Sequence, residues 1–224
     1  MRRLIVDAKA RGGKVAVVVN EFGATDIDSH ILREADAELI AAIAGGCACC
    51  SGQDDFHRTM YEIAARPSAE RPDLVLVEAS GLADPVLLLD VLTAAQLLPL
   101  LRVGVLVGVA DAAQLSTDGN ALNPLLRRQL QLADWIVLNK TDLAAQLGGP
   151  RAVETAAACV RGVNPTARLE RAVNARIDLD AFWKMMGKGR APGDDGNAPE
   201  GEGTPEGEGT PEGEGTPATP HLSA

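Results

Sequence analysis

The run Trp135-Ile136-Val137-Leu138 carries no polar side chain and leads straight into Asn139-Lys140-Thr141-Asp142. A strand with one solvated face alternates apolar and polar residues; a continuous run is buried on both faces, as in a parallel sheet covered by helices. Three more runs follow the same rule, at 14–19, 73–77 and 103–109, ending near Asn20-Glu21, Glu78 and Asp111. Parallel neighbours need crossover connections, and the stretches between the runs have helical spacing. Helices are expected over 1–11, 29–35, 54–65, from 87 to 92, and over 122–133, 154–161 and 179–186. A further apolar piece lies at 38–43 and a short strand at 167–171. The expected fold is α/β, with a doubly wound, mostly parallel sheet.

Two domains of different kind are expected. Residues 1–190 hold the apolar runs, and with only 3% aromatic residues their core is aliphatic. Residues 191–224 hold three consecutive copies of Pro-Glu-Gly-Glu-Gly-Thr, beginning at Pro199. With no apolar side chain in the repeat, nothing offsets the entropy of ordering it, so this acidic tail is expected to be disordered. The tail has six Glu, two Asp and no Lys or Arg, so it carries −8 of the formal −10 and leaves about −2 on the body. That balance supplies no basic footprint for nucleic acid. No apolar run approaches the ~18 residues of a membrane span. Three of the four cysteines crowd into 47–50, unlike a disulfide framework, and a cytoplasmic location is expected.

The polar cluster behind residue 138 suits a guanine base. Asp142 can accept from the ring N–H and the exocyclic amine, a donor pair that adenine lacks. Asn139 can meet the acceptor edge, and the stem of Lys140 can cover the base face while its ammonium stays in water. The same four residues also read as a strand followed by an Asx-type turn. Cys47, Cys49 and Cys50 place three potential thiolates within four positions, a soft donor set for zinc or copper(I). Glu21, His57, His30 or a water would complete a tetrahedron. Buried, inert cysteines are the alternative; Cys159, alone on a helix, reads as core. Glu78 stands at a strand end where a nucleotide hydrolase keeps a magnesium-side carboxylate, and Gly81 can offer a backbone N–H to a terminal phosphate.

Four motifs in order carry a resemblance: Asn20-Glu21-Phe22-Gly23, Cys47-Ala48-Cys49-Cys50, Glu78-Ala79-Ser80-Gly81 and Asn139-Lys140-Thr141-Asp142. The chain resembles the CobW/HypB/UreG-type GTPases over residues 1 to about 186, and within them the CobW-like branch that includes zinc-handling metallochaperones. The resemblance implies a P-loop NTPase-like G domain that binds GTP with Mg2+ and holds Zn2+ or another transition metal at Cys47, Cys49, Cys50 and Glu21. It implies catalytic roles for Glu78 and Gly81, and nucleotide contacts from Asn139, Lys140, Asp142 and Asn164, the last in a loop that closes over the guanine from the other side. It also implies a client metalloprotein as partner, with no nucleic acid and no membrane.

Two departures stand out. No G-x-x-x-x-G-K-S/T phosphate loop occurs in residues 1–224. In the family that loop and the strand before it would precede residue 1, and because that strand is central, a discontinuity is expected in mid-sheet. The family's C-terminal domain is expected to be missing, with the acidic repeat in its place. The chain is therefore expected to be catalytically incomplete. Two other readings stand beside the GTPase: a non-catalytic metal- or partner-binding module, and a nucleotide-binding α/β enzyme with redox-active cysteines.

Overall fold

A computed structural model describes the backbone of residues 1–21, 38–44, 51–79, 81, 83–117 and 122–187. The chain divides into two units, Met1–Asp194 and Asp195–Ala224, and every described residue belongs to the first. The helix expected over 29–35, the three clustered cysteines and the acidic repeat lie outside the described residues.

The elements are α1 (Arg2–Ala10), β1 (Val15–Glu21), β2 (Glu38–Ala44), α2 (Ser51–Ala64), β3 (Leu74–Ala79), α3 (Pro85–Leu92), β4 (Val107–Asp111), α4 (Ala112–Thr117), α5 (Pro124–Leu132), β5 (Trp135–Asn139), α6 (Thr141–Val163), β6 (Arg168–Arg171) and α7 (Leu179–Gly187). Helix starts follow local chemistry. Asp84 accepts from the Val86 N–H and Asn123 from the Leu126 N–H, each ahead of a proline in the first turn. α6 begins directly behind Lys140, thirteen residues before the helix expected from spacing, and it breaks at Gly148 and Gly149 ahead of Pro150. That break hides the first half of the helix from a periodicity reading.

Every strand pair is parallel, as expected, but the strands form two three-stranded sheets, β2-β1-β3 and β4-β5-β6. One helical layer serves both. Ile5 and Ala8 of α1 and Phe182 and Trp183 of α7 pack with Val15, Val17 and Leu74 of the first sheet and with Trp135 and Val137 of the second. Phe182 lies 6.0 Å from Trp135, and Trp183 meets Phe182 edge-on at 5.2 Å. Trp183 donates its indole N–H to Asp7, and Arg11 bridges Asp7 at 2.8 Å and Asp180 at 2.7 Å, tying α1 to α7. On the opposite faces, Phe56, Met60 and Ile63 of α2 cover Val18 of the first sheet. Alanines of α4 and α6, with Leu130 of α5, cover Ile136 and Leu138 of the second.

β3 and β4 are the facing inner edges. Leu76 and Val105 pack into the same shared cluster, and Gln129 of α5 donates to the carbonyls of Gly81 and Ala83 just past β3. Among the described residues neither inner edge has a ladder partner on its open side. The exposure of β4 shows the consequence. Val107 and Val109 are in register with Trp135 and Val137, so they share a face with them. Yet the valines are 40% and 59% exposed where their neighbours are 0% and 2%. This is the expected mid-sheet discontinuity. It also shortens β4: the run expected over 103–109 becomes a strand only at 107–111, where β5 supplies a ladder.

Candidate base-recognition site at the ends of β4, β5 and β6

Register brings Asp111, the last residue of β4, beside Asn139, the last of β5. Asn139 turns its Oδ1 sideways to accept the backbone N–H of Ala175 at 2.9 Å. Lys140 follows in the left-handed region, at φ 58° and ψ 36°. Its Nζ reaches Asp111 Oδ2 at 2.7 Å. The other oxygen of Asp111 accepts the N–H groups of Ala113 and Gln114, capping α4. Partial burial acts to raise the Asp111 pKa, but the hydrogen bond and charge of Lys140, with those N–H groups, hold it below the usual carboxylate value.

Thr141 donates its N–H and its hydroxyl to the Ala172 carbonyl. The chain past β6 is thus fastened over the end of β5 at two points, Ala172 and Ala175. Asp142 stands exposed in the first turn of α6, and its carboxylate has no hydrogen-bond or ion-pair partner among the described residues. Among the described residues, the non-glycine ones with positive φ are Lys140, Asn174 and Ala175, at 58°, 53° and 51°, and all belong to this cluster. Each such residue costs about 1–3 kcal/mol and persists only where the surroundings enforce it. Backbone strain is therefore concentrated where Asn139 and Lys140 face out.

Asn164 takes a different part from the one the resemblance implies. It is buried, and its amide donates to the carbonyls of Leu130, Gln131 and Ala133. Its Oδ1 accepts from Thr166 N, Thr166 Oγ1 and Ala167 N. A side chain committed at both ends to protein has nothing left for a nucleotide. It joins the end of α5 to the start of β6. The stretch beside Asn139 is instead residues 172–176. Asn174 was the available signal, since Asn tolerates the left-handed region. Asp111 was legible only as a polar residue closing an apolar run.

On the other sheet, Glu78 is exposed near the end of β3 in register with Val19. Gly81 follows, its carbonyl held by Gln129 at 3.3 Å. Neither a positive φ nor a neighbouring atom requires glycine there, since a Cβ would meet nothing within 4 Å. Of Glu21 only the backbone is described, aligned with Ala44 at the ends of β1 and β2. Cys47, Cys49 and Cys50 lie outside the described residues, on the stretch between Ala44 and the start of α2. Among the described residues no group of three or more His, Cys, Asp or Glu stands where it could hold a metal. Cys159 is partly buried on α6 rather than in the core. Among the described residues no helix is long and apolar enough to cross a membrane.

Comparison with known proteins agrees with this fold. The chain is 32% identical over 160 residues to the zinc chaperone CobW of Sinorhizobium sp, covering 60% of this chain and 45% of that protein. It is 36% identical over 129 residues to the zinc chaperone YeiR of Escherichia coli, covering 58% and 38%. It thus spans less than half the length of either relative. In fold it is similar to the hydrogenase maturation factor HypB of Archaeoglobus fulgidus, with a TM-score of 0.50 and 18% identity over 77% of this chain and 74% of that one. The family model described as CobW/HypB/UreG, nucleotide-binding domain, matches residues 1–169, and the chain belongs to that family.

Proposed function

We propose that this chain is the guanine-recognising part of a GTP-dependent metallochaperone. In that reading GTP binding and hydrolysis are coupled to the transfer of a transition metal, zinc in the first place, to a client metalloprotein inside the cell. One observation carries the reading: Asn139 and Lys140 are held in a fixed, partly strained arrangement beside an Asp142 carboxylate with no partner among the described residues. A carboxylate left open next to a held amide suits a ligand edge with two adjacent donors, and guanine has that edge. Lys140 would cover one base face, and residues 172–176 would border the pocket.

The phosphate side is less complete. Glu78 is suited to the magnesium side and Gly81 to a close backbone approach, consistent with a glycine that neither packing nor φ demands. Magnesium would supply charge neutralisation between the phosphates, and Glu78 would orient it through its water shell. The metal cargo would sit on Cys47, Cys49 and Cys50, with Glu21 as a candidate fourth donor; thiolates favour zinc or copper(I). No phosphate-cradling motif is present in residues 1–224. Base contacts alone contribute a few hydrogen bonds of about 0.5–3 kcal/mol each, against an association cost of at least ~4 kcal/mol. The chain as it stands therefore binds GTP weakly and does not turn it over. That same feature favours a second reading, a metal- or partner-binding module without catalysis.

The test compares GTP hydrolysis by the 224-residue chain and by a version extended at its N-terminus with a strand and a G-x-x-x-x-G-K-S/T loop. The extended protein is expected to hydrolyse GTP and the original not. Hydrolysis well above background by the original chain, lost on Glu78→Ala, would overturn the incomplete-site reading. Absence of nucleotide binding by both would favour the non-catalytic module.

A further inference from the structure

We infer that Asp111 is a positioning residue for base recognition, acting through Lys140; the inference rests on the guanine reading of this site. Lys140 has a long side chain, about half exposed, on a left-handed residue at the mouth of the sheet. An unanchored lysine there would sample many rotamers, and its stem would shield a base face only part of the time. The 2.7 Å contact with Asp111 Oδ2 holds its ammonium in one place.

Asp111 is a better anchor than an ordinary surface carboxylate. Its Oδ1 is engaged by the N–H groups of Ala113 at 2.9 Å and Gln114 at 3.2 Å, which fixes the plane of the carboxylate. Its backbone is in register with Asn139, which is itself fastened to Ala175. The lysine head, the amide of Asn139 and the loop at 172–176 are thus referred to one rigid strand pair. A helix cap requires only one oxygen, so the second oxygen and the negative charge are surplus to the cap. They serve Lys140.

The two roles separate in Asp111→Asn, which keeps a capping oxygen and removes the charge. Asp111→Ser serves the same purpose should the first variant fold poorly. Binding of guanosine 5′-monophosphate and adenosine 5′-monophosphate is followed by amide chemical shifts in the 224-residue chain, in Asp111→Asn, in Lys140→Ala and in the double variant. Asp111→Asn is expected to weaken the guanine nucleotide by up to about fivefold, the upper end of what an exposed ion pair contributes. It should leave thermal stability nearly unchanged and add nothing in the Lys140→Ala background. Binding by Asp111→Asn equal to the unaltered chain, or equal further weakening in both backgrounds, would overturn the positioning role while leaving the base site intact. An unaltered chain that binds both nucleotides equally, or neither, would overturn the guanine reading and this inference with it.

Discussion

The side-chain oxygen of Asn139 accepts the backbone N–H of Ala175 at 2.9 Å, joining the end of β5 to a loop 36 residues away in sequence. Ala175 takes that position at φ 51°, a conformation any Cβ makes costly. Removing the Cβ relieves about 1–2 kcal/mol of strain but returns some chain entropy on unfolding. Ala175→Gly is therefore expected to stabilise the protein by about 0.5–1 kcal/mol. Urea unfolding checks it; a loss of stability would mean that the loop does not enforce the left-handed backbone.

The shared helical layer predicts a second outcome. Phe182 is 2% exposed and touches both tryptophans of the chain. Phe182→Ala leaves a cavity between α7 and the second sheet and is expected to cost about 3–5 kcal/mol in denaturant unfolding. A cost below about 1 kcal/mol would mean that the layer repacks freely, as small cavities in well-ordered cores do not.

Asp7 gives a pH dependence with a definite sign. Partial burial acts to raise its pKa, but the Trp183 indole N–H and Arg11 lower it below the ordinary 3.8. A carboxyl depressed in the folded state stabilises above its unfolded pKa, and that contribution fades as pH falls toward the folded value. Stability should therefore decline on acidification below about pH 4, and less steeply in Asp7→Asn, whose amide oxygen still accepts from Trp183. Identical slopes from pH 5 to pH 2 in both proteins would remove Asp7 from the account.

Much of this architecture was legible because apolar runs report burial directly. Val15–Val19 and Trp135–Leu138 are strands for the reason their composition states: both faces are covered. What stayed hidden depends on contacts distant in sequence. Asn164 looks like a ligand contact until its six hydrogen-bond partners are seen to be protein. The start of α6 is masked by Gly148-Gly149-Pro150, and the limits of β4 are decided by where β5 runs. The tie between Asp111 and Lys140 spans 29 residues and two strands, and no local pattern encodes it.

The cysteine cluster is open to direct test. The purified protein is expected to bind about one zinc per chain, since three thiolates in four positions form a soft, dense donor set. Replacing Cys47, Cys49 and Cys50 together by Ser should abolish tight binding. Unchanged stoichiometry and affinity in that variant would place the metal elsewhere.

Base selectivity reports on the guanine site itself. Guanine presents a ring N–H and an amine to Asp142; xanthine replaces the amine by a carbonyl, which a carboxylate repels and an amide can meet as donor. The measurement is the relative affinity of guanosine and xanthosine monophosphates for the unaltered chain and for Asp142→Asn. The unaltered chain is expected to prefer guanosine, and Asp142→Asn to invert the order. Each change should be about tenfold, as expected when a polar group loses its partner at a cost of about 1–3 kcal/mol. An unchanged preference in Asp142→Asn would show that the base does not bind at the end of β5.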